Sequence, residues 1–114
     1  MVILANAGRA LINERKLRDY VLNPDHPVGG RKARVILATT GLGCGGHRAV
    51  ADQVRSGILV NDAERVEPVP YGERFRVTVT LAGPGGRLRV RTGWIYRNGE
   101  DVLRLATLYP ILAD

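Results

Sequence analysis

Two short stretches of this chain carry side chains able to move protons and hold an anion. The first is Asn23-Pro24-Asp25-His26-Pro27-Val28-Gly29-Gly30-Arg31-Lys32-Ala33. Two prolines and two glycines place His26 on a stiff loop, just ahead of a basic pair at a possible helix start. Histidine exchanges a proton near neutral pH. A lysine ammonium is a compact cation that stabilises charge developing on a phosphate. With only two lysines in the chain, Lys32 in such a loop hints at selection for a point charge. The bland alternative is a loop histidine capping backbone groups beside a surface cation. The second stretch is Arg104-Leu105-Ala106-Thr107-Leu108-Tyr109-Pro110. Thr107 and Tyr109, two apart, share one face of a strand. A hydroxyl beside a phenol can hydrogen-bond phosphate oxygens or orient an attacking hydroxyl. The ordinary alternative is a strand end with its tyrosine folded over the core.

Other apparent motifs carry less. Gly41-Leu42-Gly43-Cys44-Gly45-Gly46 fits G-x-G-x-x-G after an apolar run, with Asp62 and Glu64 downstream. A dinucleotide site needs further βα units, however, and this chain continues as hairpins. A helix–helix link is the better reading, and no cofactor is expected. Cys44-x-x-His47 is at most half a metal site, because a closed zinc site wants four ligands and only His26 could join them. No metal is expected either. Ser56, the one serine, has no nucleophile elbow around it.

The charge balance is biased towards a polyanion partner, with one genome's preference for arginine codons as the bland alternative. Seventeen basic side chains against eleven acidic ones give a net charge of +6. All but the two lysines are arginine, whose planar fork suits phosphate. No apolar stretch approaches the roughly 20 residues that span a bilayer. The start, Met1-Val2-Ile3-Leu4, lacks the basic region of a secretory signal. A single cysteine, Cys44, suits a reducing compartment. The expectation is a soluble cytoplasmic domain with no membrane partner.

The elements that must position these residues divide the chain in two. Asn13 is a candidate N-cap for a helix over Glu14 to Leu22, broken by the two prolines. Further helices are expected from Arg31 to Thr40 and from His47 to about Ser56. After Gly57 the period changes to two. Phe75, Val77, Val79 and Leu81 alternate with Arg74, Arg76, Thr78 and Thr80. Leu88, Val90, Thr92, Trp94 and Tyr96 alternate with Arg87, Arg89, Arg91 and Arg97. Gly83-Pro84-Gly85-Gly86 reads as a turn and Asn98-Gly99 as a hairpin signal. The last strand is expected from about Asp101 to Tyr109, and a weaker one near Ala63 to Val69. The class is α+β: N-terminal helices on a four-stranded antiparallel β-meander. One domain over 1–114 is expected, with a helical half at about 13–57 and a sheet half at about 63–109.

A resemblance adds to this reading. The stretch from Leu17 to Arg34 resembles the opening signature of a family of small uncharacterised bacterial domains. Pro70-Tyr71-Gly72-Glu73-Arg74-Phe75, Arg91-Thr92-Gly93-Trp94-Ile95, Gly99-Glu100-Asp101 and Arg104 to Tyr109 follow that family's order, so the match runs from about Ala5 to Pro110. The Gly-rich middle departs from it. The layout is also distantly similar to the barnase–EndoU–colicin–RelE superfamily of toxin ribonucleases. That resemblance implies catalytic roles for His26, Lys32, Thr107 and Tyr109, with Arg31 as an alternative cation. It implies metal-independent cleavage of RNA to a 2′,3′-cyclic phosphate. Arg74, Arg76, Arg89 and Arg91 on the strands would then hold the RNA backbone, their ordinary alternative being a solvated outer sheet face. A toxin of this type implies an acidic antitoxin or immunity protein as partner. A second reading needs no histidine chemistry: a non-catalytic module binding RNA or a protein. An aromatic content of 5% argues against several stacked bases, although Trp94 and Tyr96 could contribute.

Overall fold

The computed structural model describes residues 1–112, so the last two residues of the expected 1–114 domain lie outside it. The helices precede the strands, giving the α+β order expected. Asn13 caps the first helix, its side chain accepting from the Lys16 backbone N–H at 3.1 Å. This satisfies one of the donors that every helix start leaves open. Helix α1 (Glu14–Lys16) runs directly into a π-helical stretch, Leu17–Val21, that buries Leu17 and Val21. Helix α2 spans Gly30–Thr40 and α3 spans His47–Ile58, joined by the Gly-rich link with one 3-10 turn at Cys44–Gly46. Val50, Val54 and Ile58, four apart along α3, are fully buried and form its core stripe.

Strands β1 (Ala63–Val69), β2 (Gly72–Gly83), β3 (Gly86–Arg97) and β4 (Arg104–Pro110) follow in sequence order as neighbours, all antiparallel. No βα unit follows the Gly41–Gly46 link, so its glycines serve a connection. Val77, Val79 and Leu81 join Val90, Thr92 and Trp94 on the face that α2 and α3 cover. Trp94, at 1% exposure, belongs to the core and offers no ring for a base to stack on. Tyr96 lies on the same face, edge-on to Phe75 with ring centroids 5.7 Å apart. A buried indole N–H needs an acceptor, and Thr92 provides it. Trp94 Nε1 donates to Thr92 Oγ1 at 2.7 Å, and that hydroxyl donates to the Val77 carbonyl at 2.7 Å.

Two features depart from the sequence reading. The Asn98-Gly99 turn forms, with Gly99 at φ 78°, but β4 begins only at Arg104. The N-terminal segment explains the delay. Leu11 donates to the Leu103 carbonyl at 2.8 Å and accepts from the Leu105 N–H at 3.0 Å, while Asn6 Nδ2 holds the Asp101 carbonyl. The second departure is a bulge in β4. Gly93 pairs with Thr107 but Trp94 pairs with Leu105, so Ala106 is an extra residue. A one-residue insertion switches which face the following side chains occupy. Leu105 and Leu108 both reach the core although three apart, while Thr107 and Tyr109 face outward. Thr92→Val keeps the shape but strands the Trp94 N–H. It should cost about 1–3 kcal/mol in urea unfolding followed by tryptophan fluorescence; unchanged stability would remove the Thr92 hydroxyl from the account of the core.

Candidate nucleic-acid interface

The uncovered face of the sheet is organised in rows across the strands. Arg76, Gly93 and Thr107 are register partners in one row; Thr78, Arg91 and Tyr109 form the next; Arg74, Ile95 and Arg104 form the one on the other side. Gly93 sets the shape of the floor. A Cβ at this position would collide with Thr107 Oγ1, so the missing side chain leaves an opening between two basic strands. That opening is a cleft of about 300 Å³ lined by Arg74, Arg76, Arg91, Gly93, Thr107 and Tyr109. Glu64 on β1 holds the Arg76 guanidinium at 2.8 Å. This ion pair keeps Arg76 charged, raising its pKa above the ordinary value, with a smaller contribution from the Tyr109 phenol.

The other wall comes from the helical half, which reaches the free edge of β4. Lys16 Nζ donates to the Ala106 carbonyl at 2.9 Å and so clasps the bulge itself. Lys32 Nζ lies 5.3 Å from the centroid of the Tyr109 ring, within the range where an ammonium is attracted to an aromatic face. Lys16, Lys32, Tyr20, Gly29, Thr107 and Tyr109 line a cleft of about 510 Å³ along this edge. A third cleft, about 770 Å³, extends from Thr107 past Ile95, Arg97 and Arg104 to Tyr71. Thr107 borders all three. A hydroxyl and a phenol thus stand among Lys16, Lys32, Arg74, Arg76 and Arg91. Such a ring of donors can bind an anion and offset negative charge as it develops.

Of the residues singled out in the sequence, Lys32, Thr107, Tyr109, Arg74, Arg76 and Arg91 are brought together here. Arg31 and Arg89 are exposed and line none of the three clefts; Arg89 continues the arginine stripe opposite Thr80. His26 stands behind Tyr20, with ring centroids 4.3 Å apart, and lines none of these three clefts. Its Nδ1 accepts from the Val28 and Gly29 N–H groups, each at 3.1 Å. The neutral ring therefore carries its proton on Nε2 and has no lone pair to spare. This is the loop-capping geometry weighed as the alternative. Lys16 and Gly93 were missed. Their only signals were the rarity of lysine and a lone glycine inside a strand, which often marks a close approach.

Among the described residues, no group of three or more His, Cys, Asp or Glu side chains gathers to hold a metal ion. The Cys44 thiol donates to the Leu22 carbonyl at 3.3 Å, and His47 Nδ1 lies 3.0 Å from the Cys44 carbonyl. Both are local ties within the helical half. No described helix is long and apolar enough to cross a membrane. A family model described as a domain of unknown function, DUF6883, matches residues 3–112. No curated protein and no solved structure gives a significant match.

His26→Ala removes the acceptor of two loop amides at once. It should lower stability by about 1–2 kcal/mol in urea unfolding; a variant as stable as the parent would mean that the loop holds its shape without the ring.

Proposed function

The chain belongs to the DUF6883 family of domains, and from its own cleft we propose a metal-independent endoribonuclease of toxin type. The supporting observation is the convergence of five cations on the Thr107–Tyr109 pair. In this reading an RNA phosphate sits between Lys32 and the Arg76–Arg91 pair. The 2′-hydroxyl attacks the adjacent phosphorus, so a 2′-O–P bond forms and the P–O5′ bond breaks. The Tyr109 phenol takes the 2′-proton as it passes its own to a non-bridging phosphate oxygen. That proton then leaves with O5′. Lys32, Arg76 and Arg91 offset the charge of the pentavalent phosphorane, and Thr107 holds a phosphate oxygen. The products are a 2′,3′-cyclic phosphate and a 5′-hydroxyl, with no water consumed. His26 acts as a positioning residue through the loop that leads into α2, the helix that carries Lys32.

An enzyme of this kind acts in the cytoplasm, where RNA is plentiful. It needs restraint in the cell that makes it, and an acidic antitoxin or immunity protein covering the basic cleft is the proposed partner. One observation favours a second reading. No imidazole or carboxylate lines any of the three clefts, and His26 has its lone pair engaged. A non-catalytic RNA-binding module would use the same surface and need no base.

Cleavage separates the two. Incubated with mixed RNA in chelator-containing buffer, the purified protein should yield 3′ ends bearing cyclic phosphate. Tyr109→Phe should reduce the rate by about 10²-fold or more, and Lys32→Arg should also impair it because a planar fork does not replace a point charge. Binding without cleavage would establish the module instead. In either case Arg76→Ala and Arg91→Ala should each flatten the log–log salt dependence of RNA affinity by about 0.7, while Arg89→Ala leaves it nearly unchanged. Equal slopes in all variants would move the RNA off this face.

A further inference from the structure

Beyond the reacting centre, we infer that the third cleft is a separate subsite that takes one unstacked nucleobase of single-stranded RNA, with Tyr71 as its stacking platform. The inference rests on the proposal that RNA occupies this face, and it deepens that proposal by naming what the neighbouring nucleotide touches. Tyr71 sits on the turn between β1 and β2 and is 64% exposed. Among the described residues no other aromatic ring packs on it, and its flat ring is open to solvent. Ile95, on the uncovered face, supplies an apolar floor between Tyr71 and Arg104. A base offers two apolar faces, and ring-on-ring stacking accepts any base.

The surrounding cations match the phosphate that must accompany a base. Arg97 forms no ion pair with any described residue. Arg104 Nε is buried and makes no hydrogen bond, its nearest carboxylate oxygen being Glu100 Oε1 at 3.5 Å. Arg74 Nε donates to the Glu67 carbonyl at 2.8 Å, which anchors the guanidinium at the cleft border. Arg97 and Arg74 thus offer guanidinium N–H groups to an incoming phosphate oxygen. The position along the sheet separates this subsite from the reacting centre. Arg97 is four residues along β3 from Gly93, the partner of Thr107, so it lies about 13 Å away at the usual strand rise. A base in a duplex is already stacked on both faces, so the platform serves a single strand.

The test is a coupling experiment on binding, read by fluorescence anisotropy with a labelled 2′-O-methyl pentanucleotide that the 2′-attack cannot cleave. The strand is made with the base removed at each position in turn. For the parent protein, one abasic position should weaken binding about tenfold, as loss of one aromatic stack does. Tyr71→Leu should lose a similar factor with the intact strand and nothing further at that same position; Tyr71→Phe should bind like the parent. Because Tyr71 is exposed, circular dichroism should show an unchanged fold. If the parent binds the strand but Tyr71→Leu binds equally well, or loses the same factor at every abasic position, the subsite is overturned while the proposed function stands. If the parent does not bind the strand at all, the proposed function fails and the subsite with it.

Discussion

One extra residue in the last strand decides what this surface can do. In a regular strand, with Leu105 facing the core, Thr107 would face it too and Leu108 would face water. The bulge at Ala106 exchanges them. The hydrophobic effect drives the exchange, since burying a leucine side chain contributes about 1.5–3 kcal/mol relative to leaving it in water. Leu108 is 6% exposed, and Pro110 follows it inward. The polar consequence is that Thr107 and Tyr109 emerge together on the uncovered face. An irregular strand leaves a backbone carbonyl unpaired, and Lys16 from the first helix supplies the donor for Ala106. Core packing, strand register and cleft are therefore a single constraint.

Strand β3 meets this constraint from its other side by giving successive residues opposite duties. Thr92 and Trp94 point inward and close a small, fully satisfied hydrogen-bond chain. Arg91 and Gly93 point outward, one supplying charge and the other an absence of bulk. A side chain at 93 would push the Thr107 hydroxyl aside and so alter the cleft floor. The helical half contributes rigid support. Gly29 lets the start of α2 lie against the Tyr20 ring, where a Cβ would sit 3.0 Å from a ring carbon, and His26 clasps the intervening loop amides. Lys32 reaches the Tyr109 ring from this support, so the ammonium is delivered by packing on both sides of the sheet edge.

Period-two alternation made most of the sheet legible before any coordinates. It separated the inward apolar set from the outward arginines on β2 and β3, and the Asn13 cap marked the first helix correctly. Two kinds of information were less accessible. The first was parity after the bulge. Thr107 and Tyr109 share a face by their spacing, but which face depends on Leu105 and Leu108 being three apart, a spacing foreign to a regular strand. The second was non-local. The N-terminal twelve residues show no strong period, yet Leu4, Ala7, Ala10 and Ile12 are all buried. Their bridge to Leu103 and Leu105 displaced the start of β4 from the turn that composition suggested. The same holds for His26, whose residue type suggested proton transfer. Its Nδ1 is engaged by two neighbouring amides, a backbone geometry that residue types alone do not specify.

The central claim is that RNA lies on the uncovered sheet face around Thr107 and Tyr109, held from both sides of the β4 edge. Amide chemical shifts followed by NMR during titration with a 2′-deoxy oligonucleotide, which binds without supplying the attacking hydroxyl, test it most directly. The account predicts the largest changes at Arg76, Arg91, Gly93, Thr107 and Tyr109, with Lys16 and Lys32 moving at the same ligand concentrations. Changes confined to the exposed face of α3, around Arg48 and Arg55, with these residues unmoved, would contradict it.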